Sequence, residues 1–502
     1  MLILAFAFWA GMAAHFSYRY PLHVDEWIAV GYAQSMMEEG SLQHPNPFTG
    51  SGVVSFNPEM GLHMLLGALK SVTGVSWLGL YRVAPELLMA LLAFLTYAVG
   101  RRDGYGWAAA LLVPLIPTSV RTLGPTLLVP VSVAVLFIPV TLLVLHRLEA
   151  RNMGPSLWLL LLIIGGTIFV HPTTEGAVTG LAVLYLLALL LETIAARRYR
   201  TAAGLVVAVA VRMLIPALIL GIWLPSLGKS VAQEAVAGSA PIALAKLGFN
   251  HGFFEAFGIV PVALFVAGAF LFATYSRYGL RSYILPVFTG LLLFFLLYLH
   301  PRYFLGPSAL YDRGWVYLGF LMSLLAGYAV ATYFRCIPGI SERLGSLASL
   351  RYPRLLRFSL MGLGVVVVAV TITGSMTSRE RVDYAQYYHL IGDQIEADFV
   401  WLGQHAAQDQ QVALMEPSLA WAYPVVAEHG KRSASAASAP FRSSWTDEVG
   451  RLLATGKVDR RWLRLQGASV VYTRMPGSQA LRKLDSADVI LVRPGVYLFS
   501  PP

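Results

Sequence analysis

Charged side chains are scarce in this sequence. Asp, Glu, Lys and Arg together make up 13% of its 502 residues, whereas hydrophobic residues make up 57%. Soluble domains carry about 25% charged residues, and a soluble protein with so few charges could not cover its surface. The composition therefore excludes an ordinary soluble protein and predicts a polytopic α-helical membrane protein.

Cysteine is nearly absent as well. Cys336 is the single cysteine of the chain, so neither an internal disulfide nor a site with several cysteine ligands can form. The net charge of +10 is carried largely by basic residues in short loops between apolar runs. Such residues set membrane topology and do not form the single basic face that nucleic acid requires. No nucleic-acid partner is expected.

Apolar runs recur along the chain at about the twenty-residue length that crosses a membrane. The first run lacks a basic leading segment and a clear small-residue cleavage site, which indicates a retained transmembrane helix. Several runs are shorter, as in tilted or broken helices. The sequence predicts about 11 spans: 1–17, 80–99, 104–118, 125–145, 156–170, 177–195, 203–224, 256–275, 281–299, 314–334 and 357–375.

Basic residues concentrate in alternate loops, and the positive-inside rule makes those loops cytoplasmic. The N-terminus is then cytoplasmic, whereas 18–79 and 376–502 lie on the external face of a multi-pass cell-membrane protein. One miscounted span would invert part of this map. The basic loops contain Arg101, Arg102, Arg147, Arg151, Arg197, Arg198, Arg200, Arg277, Arg281, Arg335, Arg343, Arg351, Arg354 and Arg357.

The two long external segments have patterns of their own. In the first, 25–39 predicts a helix ended by Gly40, and 62–72 predicts an amphipathic helix in the membrane interface. The two domains expected are a transmembrane domain over 1–375, which includes the loop 18–79, and a small external α/β domain over 376–502. The tail predicts helices at 383–408, 417–429 and 446–455, strands at 411–415, 469–473, 489–492 and 496–499, and a loop at 431–444.

Asp25 and Glu26 are adjacent carboxylates just past the first apolar run. A carboxylate at a membrane boundary is costly to bury unless it is paired or functional, and a general base needs such a group near the proton it removes. Both residues could equally be solvated loop charges or an N-terminal helix cap stabilised by the helix dipole. The pair alone does not decide between these interpretations.

The first external loop also resembles that of a known superfamily. Its pattern is similar to the GT-C membrane glycosyltransferases, in the branch of protein O-mannosyltransferases and lipid A aminoarabinose transferases. There an Asp-Glu pair is followed by a Lys-Pro-Pro-Leu-like element, an amphipathic helix and an Arg at the next span. This chain lacks that Lys, so no role of it is carried over. Asn57-Pro58-Glu59 stands at the position of the Lys-Pro-Pro-Leu-like element. Beyond about residue 150 the similarity is loose. The matching residues are Asp25-Glu26, Tyr32-Ala33, Met37, Gly40, Pro47, Gly50, Leu62–Gly74 and Arg82.

The resemblance implies an inverting glycosyltransferase of GT-C fold. It would take a sugar from a polyprenyl-phosphate carrier within the membrane and transfer it to a protein, lipid or glycan acceptor on the external face. Asp25 would be the general base, and Glu26 would orient it or bind acceptor or metal. The leaving phosphate needs cations to stabilise its developing charge, although arginines at span ends also simply snorkel. The external-side candidates are Arg82, Arg121, Arg302 and Arg313, with His171 and His300.

Acceptor or metal ligands are sought among His23, His171 and Glu175. His23 and Asp25 are too few for a metal site unless Glu26, His171 or Glu175 joins them, so a divalent cation such as Mg²⁺ or Mn²⁺ is optional. His171 and Glu175 also fit a Pro-containing turn with a capping Thr. In the tail, Trp421, Tyr423 and Trp445 fit either a sugar-stacking surface or a core.

Three alternatives stay open at this level. Oligosaccharyltransferases share the architecture, but their Trp-Trp-Asp-Tyr-Gly signature is poorly matched by Ser444-Trp445-Thr446-Asp447-Glu448. A transporter of lipid-linked sugars would need charges within its spans, and most titratable groups here lie at span ends. A non-catalytic GT-C-like scaffold would explain the missing Lys.

Overall fold

The computed structural model of the chain is mostly helical. Its secondary structure is dominated by long apolar helices, with short strands in the first external segment and in the tail. The residues that the structure describes are 1–13, 15, 18–48, 53–54, 57, 59–116, 124–148, 154–210, 253–276, 279–303, 305–306, 308–347, 353–377, 389–405, 411–414, 419–427, 433–434, 468–472, 489–493 and 496–499.

Helices account for most of these ranges. Two 3₁₀ segments, Val113–Leu115 and Gly279–Tyr283, and one π-helical segment, Phe295–Leu299, continue or join them. The α-helices are Leu2–Ala13, Val24–Glu39, Met60–Thr73, Trp77–Arg101, Gly106–Leu112, Pro130–Ala134, Phe137–Arg147, Gly154–Val170, Pro172–Ala195, Tyr199–Ala210, Phe253–Phe257, Ile259–Tyr275, Ile284–Phe294, His300–Tyr303, Ser308–Leu347, Pro353–Thr377, Asp393–His405 and Leu419–Ala427.

Several of these helices are suited to a bilayer. The part of the chain that the structure describes also contains five shorter apolar helices, of 10–17 residues. The expectation of a membrane protein with many apolar helices is confirmed, while the number of spans stays a prediction. Among the described residues, six helical stretches are long and apolar enough to cross a membrane: Trp77–Arg101, Pro130–Arg147, Pro172–Ala195, Gly279–Tyr303, Arg313–Glu342 and Leu356–Thr373.

The chain divides into two compact units. The first comprises 1–16 and 83–382, and the second comprises 17–82 and 383–502. The second unit thus combines the first external segment with the tail, whereas the sequence grouped that segment with the transmembrane part. The domain boundary at 375 stays a prediction.

In the first unit, the helix Ser308–Leu347 is the central element. It packs against Ile259–Tyr275 and Gly106–Leu112. Gly268 permits the close approach of Ile259–Tyr275 to the central helix, because a Cβ at that position would lie 1.8 Å from the carbonyl oxygen of Leu325. The apolar stretch of the central helix is buried on all sides, as expected for a helix that is hydrophobic all round.

In the second unit, the helix Val24–Glu39 packs against Met60–Thr73 and against Leu419–Ala427 of the tail. Gly40 ends the first of these helices in a left-handed conformation (φ 63°), which glycine adopts at little cost. A two-residue antiparallel pair, β1 (His44–Pro45) with β2 (Val53–Val54), lies in the segment that joins the helices Val24–Glu39 and Met60–Thr73.

The strands described in the tail are β3 Gln411–Leu414, β4 Ser433–Ala434, β5 Ala468–Tyr472, β6 Val489–Arg493 and β7 Val496–Phe499. They form a mixed five-stranded sheet in the order β4-β3-β5-β7-β6. β3 lies parallel to β4 and β5, and β7 lies antiparallel to β5 and β6. Phe399 packs between Tyr423 and Tyr472, at centroid distances of 5.3 and 5.4 Å.

Most local predictions agree with these elements. The helix expected over 25–39 and the amphipathic helix over 62–72 are confirmed as Val24–Glu39 and Met60–Thr73. In the tail, the described helix is shorter than 383–408 and spans Asp393–His405, and β4 lies in a segment expected to be loop. The helix expected over 446–455 falls outside the described residues.

Candidate functional site

The start of the helix Val24–Glu39 holds the predicted acidic pair. His23 is the N-cap and has an extended backbone (φ −124°, ψ 151°). Its ring Nδ1 accepts the backbone N–H of Asp25 at 3.1 Å. The Glu26 carboxylate accepts the N–H groups of Leu22 at 2.7 Å and of His23 at 3.1 Å. This arrangement is a capping box, with His in the place usually taken by Ser or Thr.

Glu26 is the structural member of the pair. Its side chain is 0% exposed, and its carboxylate satisfies two backbone donors where the chain enters the helix. The negative charge also lies at the positive end of the helix dipole, which stabilises it. These contacts give Glu26 the capping role that the sequence left open.

Asp25 is the accessible member of the pair. Its side chain is 30% exposed, compared with 4% for His23. Because Nδ1 of His23 accepts an N–H, the ring carries its proton on Nε2 and is neutral. Nδ1 of His23 lies 3.8 Å from the Asp25 carboxylate. Because the ring is neutral, this contact is not an ion pair. Asp25 presents a carboxylate to solvent at the first turn of the helix.

The capping role of Glu26 predicts a large effect on stability. Glu26→Ala should lower the free energy of unfolding by about 2–4 kcal/mol, because each buried N–H left unsatisfied costs about 1–3 kcal/mol. Thermal unfolding in detergent measures the change. Glu39→Ala, at the exposed end of the same helix, is the matched control and should unfold as the wild type does. Equal stability of both variants would contradict the capping role.

A cluster of aromatic and imidazole rings surrounds Tyr32 of the helix Val24–Glu39. Tyr32 contacts Phe48, His44 and His63 at centroid distances of 5.3, 5.8 and 5.4 Å. His63 is buried, and burial, with a smaller contribution from the nearby His44, lowers its pKa to about 3. The imidazole is therefore neutral near pH 7. Phe48 also packs edge-on against Trp421 at 5.0 Å, so this part of the loop and the tail share a core.

The low pKa of His63 predicts a pH-dependent stability. The unfolded chain binds a proton at this residue below about pH 6.5, whereas the folded chain binds it near pH 3. Stability should therefore fall as the pH is lowered through this window. Between pH 7 and about pH 4, we expect the melting temperature of His63→Leu to fall less than that of the wild type. The exposed His405→Gln should behave as the wild type, and an unchanged pH profile in His63→Leu would contradict the prediction.

A second polar cluster lies in the first unit, where the helix Pro172–Ala195 begins. His171 is its N-cap, and Nδ1 accepts the backbone N–H of Thr174 at 3.3 Å. The Thr174 hydroxyl lies 2.8 Å from the same nitrogen and 2.6 Å from the hydroxyl of Tyr317. Since Nδ1 is an acceptor, the hydroxyl protons run from Tyr317 to Thr174 to His171. All three side chains are buried.

Arg313 lies beside this cluster and acts on it electrostatically. Burial, with a smaller contribution from the charge of Arg313, lowers the pKa of His171 to about 3. The cluster is therefore neutral near pH 7, and Arg313 supplies its positive charge. Arg313 is half-buried on the helix Ser308–Leu347, one helical turn before Tyr317.

Aromatic rings connect the first turns of the helix Ser308–Leu347 to the preceding segment. His300 stacks on Tyr311 with centroids 4.5 Å apart, and Tyr311 meets Trp315 edge-on at 6.2 Å. Nδ1 of His300 lies 3.2 Å from the carbonyl oxygen of Leu305. These contacts hold the turn before the central helix, whereas Arg302 in the same turn is exposed.

The remaining candidates lie as follows. Glu175 is half-buried and accepts a hydrogen bond from the Thr179 hydroxyl at 2.7 Å. Arg82 is exposed. Tyr423 is part of the tail core, which favours the core interpretation for that ring. Arg121 and Trp445 fall outside the described residues.

Metal ligands stay unassigned. In the described part of the chain, no three His, Cys, Asp or Glu side chains converge in a way that could hold an ion. His23 cannot combine its Nδ1 with a metal, because that nitrogen accepts the Asp25 N–H.

Sequence reasoning missed Tyr317. Tyr317 is 146 residues from His171 and lies within an apolar run, so its hydroxyl had no local signal. The capping role of Glu26 did have a local signal. The His-x-x-Glu spacing of His23 and Glu26 matches that of a capping box, with an unusual N-cap residue.

Similarity to known proteins is structural. No protein-family model matches the sequence, and none of the curated proteins matches it significantly. The fold, by contrast, matches solved membrane glycosyltransferases over nearly the whole chain. All the identities are low, so the matches concern the fold alone.

Two proteins represent these matches. The oligosaccharyltransferase of Archaeoglobus fulgidus, tethered with an acceptor peptide containing the NVT sequon, gives a TM-score of 0.58 at 12% identity over 94% of this chain and 68% of that chain. The structure of the archaeal oligosaccharyltransferase AglB from Archaeoglobus fulgidus, in complex with an inhibitory peptide and a dolichol-phosphate, gives a TM-score of 0.53 at 12% identity over 93% of this chain and 68% of that chain. ArnT from Cupriavidus metallidurans, bound to undecaprenyl phosphate, gives 0.53 at 13% identity over 99% and 97%. The chain has the GT-C fold, as the sequence predicted.

Proposed function

We propose that this protein is an integral-membrane inverting glycosyltransferase that moves a sugar from a polyprenyl-phosphate carrier to an acceptor on the external face. The observation that carries the proposal is the fold match to ArnT, which extends over 99% of this chain and 97% of the other. That structure holds undecaprenyl phosphate, and the AglB structure holds a dolichol-phosphate. A lipid carrier also suits the external face, because it reaches the protein sideways through the membrane.

Asp25 is the general base of the proposed reaction. Its half-exposed carboxylate takes the proton of the acceptor hydroxyl, and the acceptor oxygen attacks the anomeric carbon from the side opposite the phosphate. The bond between the anomeric carbon and the phosphate oxygen breaks, and the configuration inverts. Glu26 is unsuited to this role, because its buried carboxylate already accepts two backbone N–H groups.

Arg313 is the proposed cation for the leaving phosphate. The phosphate gains negative charge as the bond breaks, and a fixed guanidinium with several N–H donors stabilises that charge. The neutral state of His171 favours this role of Arg313, since a second buried positive charge beside Arg313 would be costly. Arg302, which is exposed in the adjoining turn, is a second candidate for the same phosphate. A divalent cation stays optional.

The proposal is tested with purified protein and a panel of polyprenyl-phosphate sugars. Transfer of sugar with release of polyprenyl phosphate, and with inversion at the anomeric carbon, is the expected result. Retained anomeric configuration would contradict the mechanism. Failure of every donor in the panel, with a folded protein, would favour the scaffold alternative.

A second function is transfer of a whole glycan to a peptide. It is favoured by the TM-score of 0.58 to the Archaeoglobus fulgidus oligosaccharyltransferase, whose structure carries an NVT sequon peptide. A lipid-linked oligosaccharide and a sequon peptide discriminate the two functions. Glycosylated peptide, with no transfer from the single-sugar donors, would replace the first proposal by the second.

A further inference from the structure

Residues 389–396 of the tail, here called the tail clasp, hold the chain segment 18–22 that leads into the acidic pair. Both segments belong to the second unit. The Tyr18 hydroxyl donates to the carbonyl oxygen of Ile391 at 2.7 Å and accepts the N–H of the same residue at 3.1 Å. The Tyr18 ring also stacks on that of His389, with centroids 4.2 Å apart. One side chain thus fixes two residues of the clasp.

Charged contacts fix the other end of the clasp. Arg19 pairs with Glu396 and lies 3.3 Å from the Asp393 carboxylate. The Tyr20 hydroxyl accepts from Arg19 at 2.8 Å, and it lies 2.8 Å from the Glu396 carboxylate and 2.9 Å from that of Asp393. Burial, and then the hydrogen bonds to the two carboxylates, raise the pKa of Tyr20 well above its usual value. The hydroxyl therefore keeps its proton and acts as a donor to the clasp.

Leu22 connects the clasp to the acidic pair through both sides of its backbone. Its carbonyl oxygen accepts the N–H of His389 at 3.3 Å. Its own N–H donates to the Glu26 carboxylate at 2.7 Å, and that carboxylate caps the helix whose first turn contains Asp25. Leu22 is buried. The path from the clasp to Asp25 thus runs through two hydrogen bonds of one buried residue.

The backbone of His389 is itself under restraint. Its φ of 50° is left-handed, a conformation that is uncommon for residues other than glycine. Such a conformation persists where surrounding contacts hold it, and it is found most often at functional sites. Stacking on Tyr18 and the hydrogen bond to Leu22 supply those contacts here.

We propose that the tail clasp positions the Asp25 carboxylate for catalysis, with Tyr18 as the positioning residue. This inference rests on the proposed function, since it takes Asp25 as the general base. A base must lie within hydrogen-bond reach of the proton it removes, and a misplacement of about 1 Å can lower the rate by about 10²-fold. Tyr18 acts on the reaction through Leu22 and Glu26 rather than on the substrates.

Tyr18→Phe isolates the hydroxyl, because the ring that stacks on His389 is kept. Initial rates of sugar transfer should fall by about 10–10²-fold. The loss should appear in kcat, with the KM for the donor unchanged. Tyr275→Phe, at an exposed tyrosine of the first unit, is the matched control and should transfer sugar at the wild-type rate.

A double variant separates positioning from a purely structural role. In the Asp25→Asn background, Tyr18→Phe should leave the residual rate unchanged, because the carboxylate through which Tyr18 acts is already absent. If the Tyr18 hydroxyl only supported the fold, both backgrounds would lose rate by the same factor.

Hydrogen exchange measures the coupling without any substrate. The amides of Leu22 and His23 donate to Glu26. In Tyr18→Phe, their exchange rates should rise by about tenfold, as for the loss of one hydrogen bond. Amides of the helix Met60–Thr73, in the same unit, should keep their wild-type rates.

Three results would overturn the proposal. They are a normal kcat in folded Tyr18→Phe, an equal loss of rate in both Asp25 backgrounds, and unchanged exchange at Leu22 and His23. If the wild type transferred no sugar from any donor, the proposed function would fail instead. The exchange measurement would then still decide whether the clasp holds the acidic pair.

Discussion

Asp25→Asn is expected to lower sugar transfer by about 10²–10⁴-fold, the usual contribution of a general base. The amide keeps the size and the first-turn position of the carboxylate but cannot accept a proton from the acceptor hydroxyl. Donor binding should be unaffected, so the loss should appear in kcat. Initial rates of sugar transfer, measured with saturating donor in detergent or in reconstituted vesicles, quantify it.

The controls for this variant lie on the same helix. Glu39→Gln removes an exposed carboxylate at the opposite end of Val24–Glu39 and should transfer sugar at the wild-type rate. The melting temperature of Asp25→Asn should equal that of the wild type, since its carboxylate is the accessible one of the pair. Normal turnover in a folded Asp25→Asn protein would exclude this residue as the base.

Arg313→Gln is expected to lower kcat by about 10²–10³-fold, as for the loss of one donor to a developing oxyanion. The charge that forms on the leaving phosphate would lose its guanidinium partner. Loss of Arg313 also removes a charge that lowers the pKa of His171, so the pKa of that imidazole should rise. NMR titration of a histidine-labelled sample measures this shift independently of activity.

Two comparisons make the Arg313 result specific. Arg313→Lys keeps the charge but not the forked donor geometry, and should recover part of the activity. Arg200→Gln, at an exposed arginine in the first turn of the helix Tyr199–Ala210, should leave the rate unchanged. If Arg313→Gln turned over like Arg200→Gln, the phosphate role would pass to Arg302.

Local patterns predicted the helices of the first external segment well. Apolar spacing and the terminal glycines give the helices Val24–Glu39 and Met60–Thr73, because both signals act within a few residues. Four of the described strands of the tail were predicted to within one residue for the same reason, whereas β4 lies in a segment that was expected to be loop. The GT-C fold also followed from the sequence, through the pattern of the first loop.

Long-range contacts were not predictable in this way. The hydroxyl of Tyr18 donates to the carbonyl oxygen of Ile391 at 2.7 Å, across 373 residues. The Tyr20 hydroxyl lies 2.9 Å from the Asp393 carboxylate, and Arg19 pairs with Glu396. Such contacts join the first external segment to the tail, and no local pattern marks which partner each side chain finds.

The two carboxylates show the same limit at a smaller scale. Adjacent residues on a helix point about 100° apart, so Asp25 and Glu26 cannot share one environment. Which of them turns inward depends on the N-cap, and a His at that position gives a weaker signal than Ser or Thr. The sequence therefore singled out the pair, and the structure separated its members.

The most direct test of the central claim follows the two parts of the donor separately. A polyprenyl-phosphate sugar labelled differently on the sugar and on the lipid is placed in sealed vesicles with the oriented protein and an acceptor. The account predicts that the labels separate, with sugar on the acceptor and polyprenyl phosphate left in the membrane. Labels that stay joined while the donor crosses between leaflets would contradict it and identify a transporter.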